Sequence, residues 1–224
     1  MRDTLAMLHT AESNRAMFGA LLAELAPDIP VEHIVDEGAL REACACGVVT
    51  APLRRRVCDT LLGAIDRGAR LVLCTCSSIG GAADIAAQLT DRPVLRIDRP
   101  MAAEAVARGE RIVVAATLPT TLGPTSDLIE AAGRAAGRAI AVHELLCDRA
   151  WARFEAGDQE GYLEEIAARL RRADSFGDLL VLAQASMARA IDRCPDLAIP
   201  VLTSPRSGML AAIRAYREAP PVAA

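Results

Sequence analysis

Lysine is missing from this chain of 224 residues, and all 25 of its basic side chains are arginines. A pyridoxal phosphate Schiff base, a Walker-type phosphate loop and an amine nucleophile each need a lysine, so one absence removes three common chemistries. No apolar run reaches the ~18 residues of a membrane span, so no membrane partner is expected. Met1-Arg2-Asp3 reads as the approach to a strand rather than a targeting signal, which gives a cytoplasmic expectation. The pairs Cys44-x-Cys46 and Cys74-x-Cys76 fall one residue short of Cys-x-x-Cys and have no histidine beside them, so no metal is expected. Seven cysteines, an odd number without secretion features, read as reduced thiols rather than a disulfide framework. A net charge of -4 and the lack of a long basic block argue against nucleic acid. The run Arg54-Arg55-Arg56 lies within a helical pattern, as its solvated face. Aromatics are only 3% of the chain, and Trp151, Phe154 and Tyr162 read as helix packing, not as a platform for bases.

Short apolar strands alternate with amphipathic helices from end to end, the pattern of an α/β protein whose parallel sheet is covered on both faces. Strands are expected over 4–9, 31–35, 71–74, 94–97, 112–116, 140–145, 179–182 and 200–202. Helical spacing runs over 13–25, 52–67, 82–89, 125–136, 158–171 and 207–216, and Ala219 to Ala224 reads as a frayed tail. The order of elements repeats. Leu71-Val72-Leu73, a polar pivot, a helix and Pro93-Val94-Leu95 are matched by Leu180-Val181-Leu182, a polar pivot, a helix and Pro200-Val201-Leu202. Two similar four-stranded halves related by a pseudo-two-fold axis are therefore expected, with the pivots of both lining one cleft.

Ligands in such sheets bind beyond the carboxyl ends of the strands, so the pivots are the expected lining: His9 and Thr10, Cys74 to Ser78, Thr117 to Thr121, and Ala183 to Met187. The most informative of them follows Leu71-Val72-Leu73, where Cys74-Thr75-Cys76-Ser77-Ser78 leads through Ile79-Gly80-Gly81 into a helix. A thiolate at Cys76 would face the free backbone N–H groups of that helix's first turn, which lower a cysteine pKa and bind carboxylates. A lining of hydroxyls, a thiol and N–H groups favours a small anion.

The pieces Leu8-His9-Thr10, Thr75-Cys76-Ser77-Ser78, Ala116-Thr117-Leu118-Pro119-Thr120-Thr121, Ala156-Gly157-Asp158 and Val181 to Met187, in this order and spacing, resemble the aspartate/glutamate/hydantoin racemase superfamily, which also includes maleate isomerases and arylmalonate decarboxylases. The resemblance covers nearly the whole chain. It implies two flavodoxin-like halves enclosing a small carboxylate substrate, no cofactor, and a cysteine from each half flanking the carbon that exchanges its proton. It also implies symmetric association into a homodimer or larger, and a last helix that returns to the first half. On that basis the halves are 1–99 plus 204–224 and 100–203. Cys76 is then the catalytic thiol, with Cys74 the alternative, and Thr10, Ser77, Ser78, Thr117, Thr120, Thr121, Gln184, Ala185 and Ser186 hold the substrate. The second half departs from the pattern: Leu182-Ala183-Gln184-Ala185-Ser186 has no thiol where the racemases carry one, and neither Gln184, Ala185 nor an unassisted Ser186 shuttles a proton near neutrality.

Three readings follow. One is a cofactor-independent racemase-like isomerase acting at the α-carbon of a small carboxylic or amino acid, in which a base and an acid flank the carbon and donors hold the enediolate. Another is a single-cysteine decarboxylase or cis-trans isomerase of a small dicarboxylate. The third is a non-catalytic binder of small carboxylates. Cys147 is read as structural, though it is the only other candidate for a second acid, and Cys194 as core or surface. His33 reads as one face of an edge strand, His143 as a hydrogen-bonded core residue, His9 as the end of the first strand at the cleft, and Arg206 as a surface residue able to meet a carboxylate.

Overall fold

The computed structural model describes residues 3–222. Its strands are β1 (Thr4–His9), β2 (Val31–Val35), β3 (Ala69–Cys74), β4 (Val94–Arg96), β5 (Arg111–Ala116), β6 (Ala141–Leu146), β7 (Leu179–Leu182) and β8 (Val201–Thr203). They form two four-stranded sheets, β2-β1-β3-β4 and β6-β5-β7-β8, in which every pairing is parallel. Both sheets thus have one strand order. The chain divides into one unit up to Arg99 that also includes residues from Pro205 onward, and a second unit spanning Pro100–Ser204.

In the first unit β1 lies between β2 and β3 and is buried along its whole length, as expected of a parallel strand covered on both faces. Alternation sends Ala6, Leu8, Val72 and Cys74 into a core with α2 (Glu37–Cys46), α3 (Ala51–Asp66) and α4 (Gly80–Ala86). Leu5, Met7 and His9 take the other face, where the His9 ring stacks on Phe18 of α1 (Glu12–Leu25). Side-chain caps start the helices: Thr50 accepts from the Leu53 N–H at 3.3 Å, and Asp36 from the Ala39 N–H at 3.0 Å. Each cap contributes about 1 kcal/mol.

The last helix, α9 (Ser204–Glu218), returns to the first unit, where the Tyr216 hydroxyl donates to the Asp3 carbonyl at 2.7 Å. Its Gly208 lies so close to the backbone around Ile97 that a Cβ there would run into the Ile97 carbonyl oxygen. Because backbone cannot step aside, Gly208→Ala should destabilise by about 2 kcal/mol. At about 2–4 °C per kcal/mol for a chain of this size, the thermal midpoint falls by roughly 6 °C, readable by circular dichroism.

In the second unit alternation separates two cores. Val113, Ala115, Leu180 and Leu182 pack with α7 (Ala150–Glu155) and α8 (Gln159–Leu170), while Ile112, Val114, Val181 and Ala183 pack with α5 (Arg99–Arg108) and α6 (Pro119–Ala135).

The structure corrects several sequence expectations. The alanine-rich helices α2 and α5 were not expected, and α6 starts at Pro119 rather than near 125, because Pro119 takes the first-turn position where a missing N–H costs nothing. After β7 the chain forms a 3-10 segment, Ala185–Arg193, instead of an α-helix. The tail is also tied down through Val222: Arg92 donates to the carbonyls of Pro220 and Pro221, and the Val222 N–H donates to Asp3 at 3.1 Å. Ala223 and Ala224 lie outside the described residues, as do Met1 and Arg2.

Candidate functional site

Register brings the ends of neighbouring strands together in the first unit, with Leu8 opposite Cys74 and Cys74 opposite Arg96. Just beyond these ends lie Thr10, after β1, and the turn Thr75-Cys76-Ser77-Ser78, after β3. The two sulfurs of that region have different fates. Cys74 points into the core, its thiol donates to the Cys76 carbonyl at 3.6 Å, and burial pushes its pKa up to about 12, so it stays protonated. Cys76 is half-buried at the margin of the same core, which leaves it the accessible thiol of the pair.

Thr10 is 4% exposed and Ser77 6%, and neither hydroxyl is among the buried side-chain oxygens left without a partner, which among the described residues are those of Thr4 and Ser126. Hydroxyls at the strand ends next to a thiol can donate to a ligand's oxygens. Ser78 is buried in the same turn. The helix-end argument weakens, however, because α4 has only seven residues and no side-chain cap. The hydroxyls, not a helix dipole, are what this turn offers an anion.

A chain of oriented hydrogen bonds stands behind the turn. The single proton of the Thr75 hydroxyl goes to the Leu8 carbonyl at 3.0 Å, so Thr75 Oγ1 accepts from His9 Nδ1 at 2.9 Å. His9 Nε2 is then the acceptor for His33 Nδ1–H, also at 2.9 Å. Burial, followed by the neighbouring His33 and Arg15, drives His9 from its ordinary 6.5 down to about 4. His33 is lowered too, mainly by burial. A histidine depressed in the fold is neutral there while its unfolded form still binds protons. Its contribution is therefore whole above about pH 6.5 and is lost as pH falls toward 4, amounting to about 3 kcal/mol at most. Urea midpoints measured at neutral and acid pH should diverge less in His9→Gln than in the unaltered protein.

Arg96 supports the turn from the other side. Its guanidinium makes a two-pronged contact with buried Asp98, 2.7 and 2.9 Å, reaches Asp84 of α4 at 3.0 Å, and lies against Gly80, where a Cβ would come within 2.9 Å of it. The carboxylates hold Arg96 firmly protonated despite its burial.

The second unit's pivots form their own network. Gln184, after β7, takes the Thr117 N–H at 2.5 Å and the Thr117 hydroxyl at 2.9 Å on a single amide oxygen. That fixes the amide's orientation and directs its NH2 group away from Thr117, so Gln184 offers donors and Thr117 acts through it. Ser186 pairs with the Tyr162 hydroxyl at 2.6 Å. Tyr162 belongs to the α8 core, fully buried, and burial pushes its pKa up to about 12 against the opposing pull of Ser186 and Thr117. Sequence reasoning placed Tyr162 in packing and missed this tie. The available signal was that a tyrosine on an apolar helix face must find a partner for its hydroxyl. Thr120 and Thr121 are buried in the first turn of α6, and Ala185 opens the 3-10 segment.

The remaining candidates resolve simply. Cys147 is buried, and burial pushes its pKa up to about 12, so it stays protonated. Cys194 is core, its thiol shared between the Ala167 and Ala190 carbonyls. His143 stacks flat on Phe176 at 4.2 Å instead of hydrogen bonding within the core. His33 lies on edge strand β2, and Arg206 pairs with Glu24 at 2.8 Å on the surface. Among the described residues no cluster of three or more His, Cys, Asp or Glu could hold a metal ion, and no helix is long and apolar enough to cross a membrane.

Comparison with known proteins agrees with this arrangement at the level of family and fold. The family model described as Asp/Glu/Hydantoin racemase matches residues 20–212. Among solved structures, a glutamate racemase from Bacillus anthracis aligns at a TM-score of 0.74 and 13% identity, over 96% of this chain and 82% of that one. An aspartate racemase from Picrophilus torridus aligns at 0.69 and 13%, over 96% and 94%, and an allantoin racemase from Klebsiella pneumoniae at 0.62 and 18%, over 98% and 91%. At such identities the likeness is one of fold. No curated protein matches in sequence.

Proposed function

Because the chain belongs to the Asp/Glu/hydantoin racemase family, we propose that it carries out acid–base chemistry at the α-carbon of a small carboxylic or amino acid, with Cys76 as its working thiol. The observation that carries this reading is the turn itself, an accessible sulfur at Cys76 followed by Ser77 and Ser78 just past β3, with Thr10 just past the neighbouring strand β1. The Cys76 thiolate takes the α-proton, the C–H electron pair moves into the carboxylate to give an enediolate, and hydroxyl donors meet the new charge. Reprotonation from the same thiol completes an exchange. No cofactor is needed for these steps.

A second reading is favoured by Gln184, an amide whose oxygen is already engaged where a racemase would have its other thiol. One thiol is sufficient when loss of CO₂ makes the carbanion: the C–C bond breaks, its electron pair stays on the α-carbon, and Cys76 delivers the proton. It is also sufficient for cis-trans isomerisation, where the thiolate adds to a double bond and leaves after rotation.

The test is incubation in deuterated water with a panel of small amino, hydroxy, malonic and unsaturated dicarboxylic acids, followed by NMR. Deuterium gained at an α-carbon without loss of mass supports the first reading. CO₂ release with deuterium in its place, or geometric isomerisation, supports the second. Silence across the panel overturns both.

A further inference from the structure

We propose that His9 and His33 are positioning residues for Cys76: the one-way hydrogen-bond chain from His33 through His9 to Thr75 and the Leu8 carbonyl fixes the turn that presents the thiol, and acid releases it. The inference rests on the reading of Cys76 as the working thiol and adds a means of regulating it.

The chain's direction decides what it can do. It ends on a backbone carbonyl, which has no proton to pass on, so it cannot relay protons and can only hold a geometry. What it holds is the residue next to Cys76. The Leu8 carbonyl receives both the Thr75 N–H and the Thr75 hydroxyl, each at 3.0 Å, which locks Thr75 to the end of β1. His9, fully buried between β2 and α1, braces that hydroxyl, and His33 braces His9 from the edge strand.

Protonation of both rings is incompatible with this arrangement. A proton on one ring alone is accommodated, because neutral His33 can accept the His9 Nε2–H at Nδ1 as its other tautomer; a proton on each ring puts an N–H on both sides of the 2.9 Å contact, two hydrogens against each other. The surroundings offer little compensation. On α1, Arg15 opposes a second positive charge and Glu12 favours one on His33. Glu12 is also engaged with Arg15 at 3.1 Å, and its own N–H with Glu37 of α2 at 3.4 Å. Phe18 covers the His9 ring, and the β3 end contributes only the neutral Thr75. The other charge on β2 near His33, Glu32, is held by Arg67 at 2.8 Å. Acid therefore separates the two imidazoles and removes the brace from Thr75.

The test reads the thiol rather than turnover, so it remains informative even if no substrate is ever found. Cys76 and exposed Cys46 are labelled in competition with 4,4′-dithiodipyridine, which reacts with thiols in acid as well as at neutrality, and each site is quantified by fragment-ion mass spectrometry. In the unaltered protein the Cys76/Cys46 ratio should hold steady above about pH 6.5 and change by about fivefold on descent toward pH 4, the factor that one lost buried hydrogen bond sets. His33→Leu and Thr75→Val should shift the ratio by about as much at every pH, and Thr75→Ser should restore it. His9→Gln keeps a donor and an acceptor but cannot titrate, so its ratio should match the unaltered protein near neutrality and lose the acid step. The proposal is overturned if Thr75→Val keeps the unaltered ratio throughout, or if His9→Gln retains the acid step; circular dichroism identifies any variant that has lost its fold, and the Thr75 pair then decides.

Discussion

Cys76→Ala should reduce solvent exchange at the α-carbon, or whichever turnover the acid panel reveals, by about a thousandfold, within the range expected when a positioned acid–base group is lost. The fold should be indifferent to this change, since Cys76 is only half-buried and contributes little to the core. Cys74→Ala should do the reverse. Its sulfur is fully buried among α2, α3 and α4 residues, so truncation leaves a small cavity and costs about 1 kcal/mol of stability, while turnover stays within about threefold. The contrast separates chemistry from packing at two positions only two residues apart. Cys76→Ser should be nearly as inactive as the alanine variant, because a serine hydroxyl is far too weak an acid to be ionised near neutrality. If Cys74→Ala were inactive and Cys76→Ala active, the assignment of the sulfurs would be reversed.

The second large effect concerns stability. Asp98 is completely buried and meets Arg96, itself 5% exposed, through two hydrogen bonds. Asp98→Asn leaves the guanidinium with only Asp84 as a charged partner, and breaking a buried pair by removing one member typically costs about 3–5 kcal/mol. The thermal midpoint should fall by roughly 10 °C. The isolated variant overstates what the ion pair contributes, because desolvation offsets most of the Coulomb gain. Arg96→Met combined with Asp98→Leu should therefore recover a good part of the loss, and a double variant less stable than Asp98→Asn would contradict this account. Because Arg96 also lies against Gly80 at the start of α4, the double variant should keep the fold while loosening the turn that carries Cys76.

Much of this architecture could be read without coordinates, and the reason is physical. A parallel strand covered on both faces is a short unbroken apolar run, and Leu71-Val72-Leu73 and Leu179 to Leu182 announce themselves in that way. Helices α2 and α5 are built largely from alanine and cysteine or alanine and arginine, so their apolar stripes are faint and they escaped the same reading. Pro119, Gly123 and Pro124 looked like loop, yet α6 runs through all three.

The candidate site divides along the same line. Position along the chain was legible: Thr10, Cys76, Ser77, Thr117, Gln184 and Ser186 all stand just past strand ends. Orientation was not. That Cys74 turns inward while Cys76 stays accessible follows from where alternation ends at the last residue of β3. The engagement of the Gln184 oxygen by Thr117, and of Ser186 by Tyr162, joins residues 67 and 24 positions apart, which no local pattern encodes. The His9–His33 pair was hidden for the same reason, each histidine having an ordinary explanation on its own strand.

The central claim is that Cys76 is a reactive sulfur among groups that hold a carboxylate, and competitive alkylation with bromoacetate and bromoacetamide tests it most directly. A thiol in open solution has no reason to prefer the anionic reagent. The account predicts that Cys76 is alkylated by bromoacetate in preference to bromoacetamide, with a rate that saturates and is suppressed by small carboxylic acids, while exposed Cys46 shows neither behaviour. Equal, unsaturable labelling of Cys76 and Cys46 by bromoacetate would contradict it.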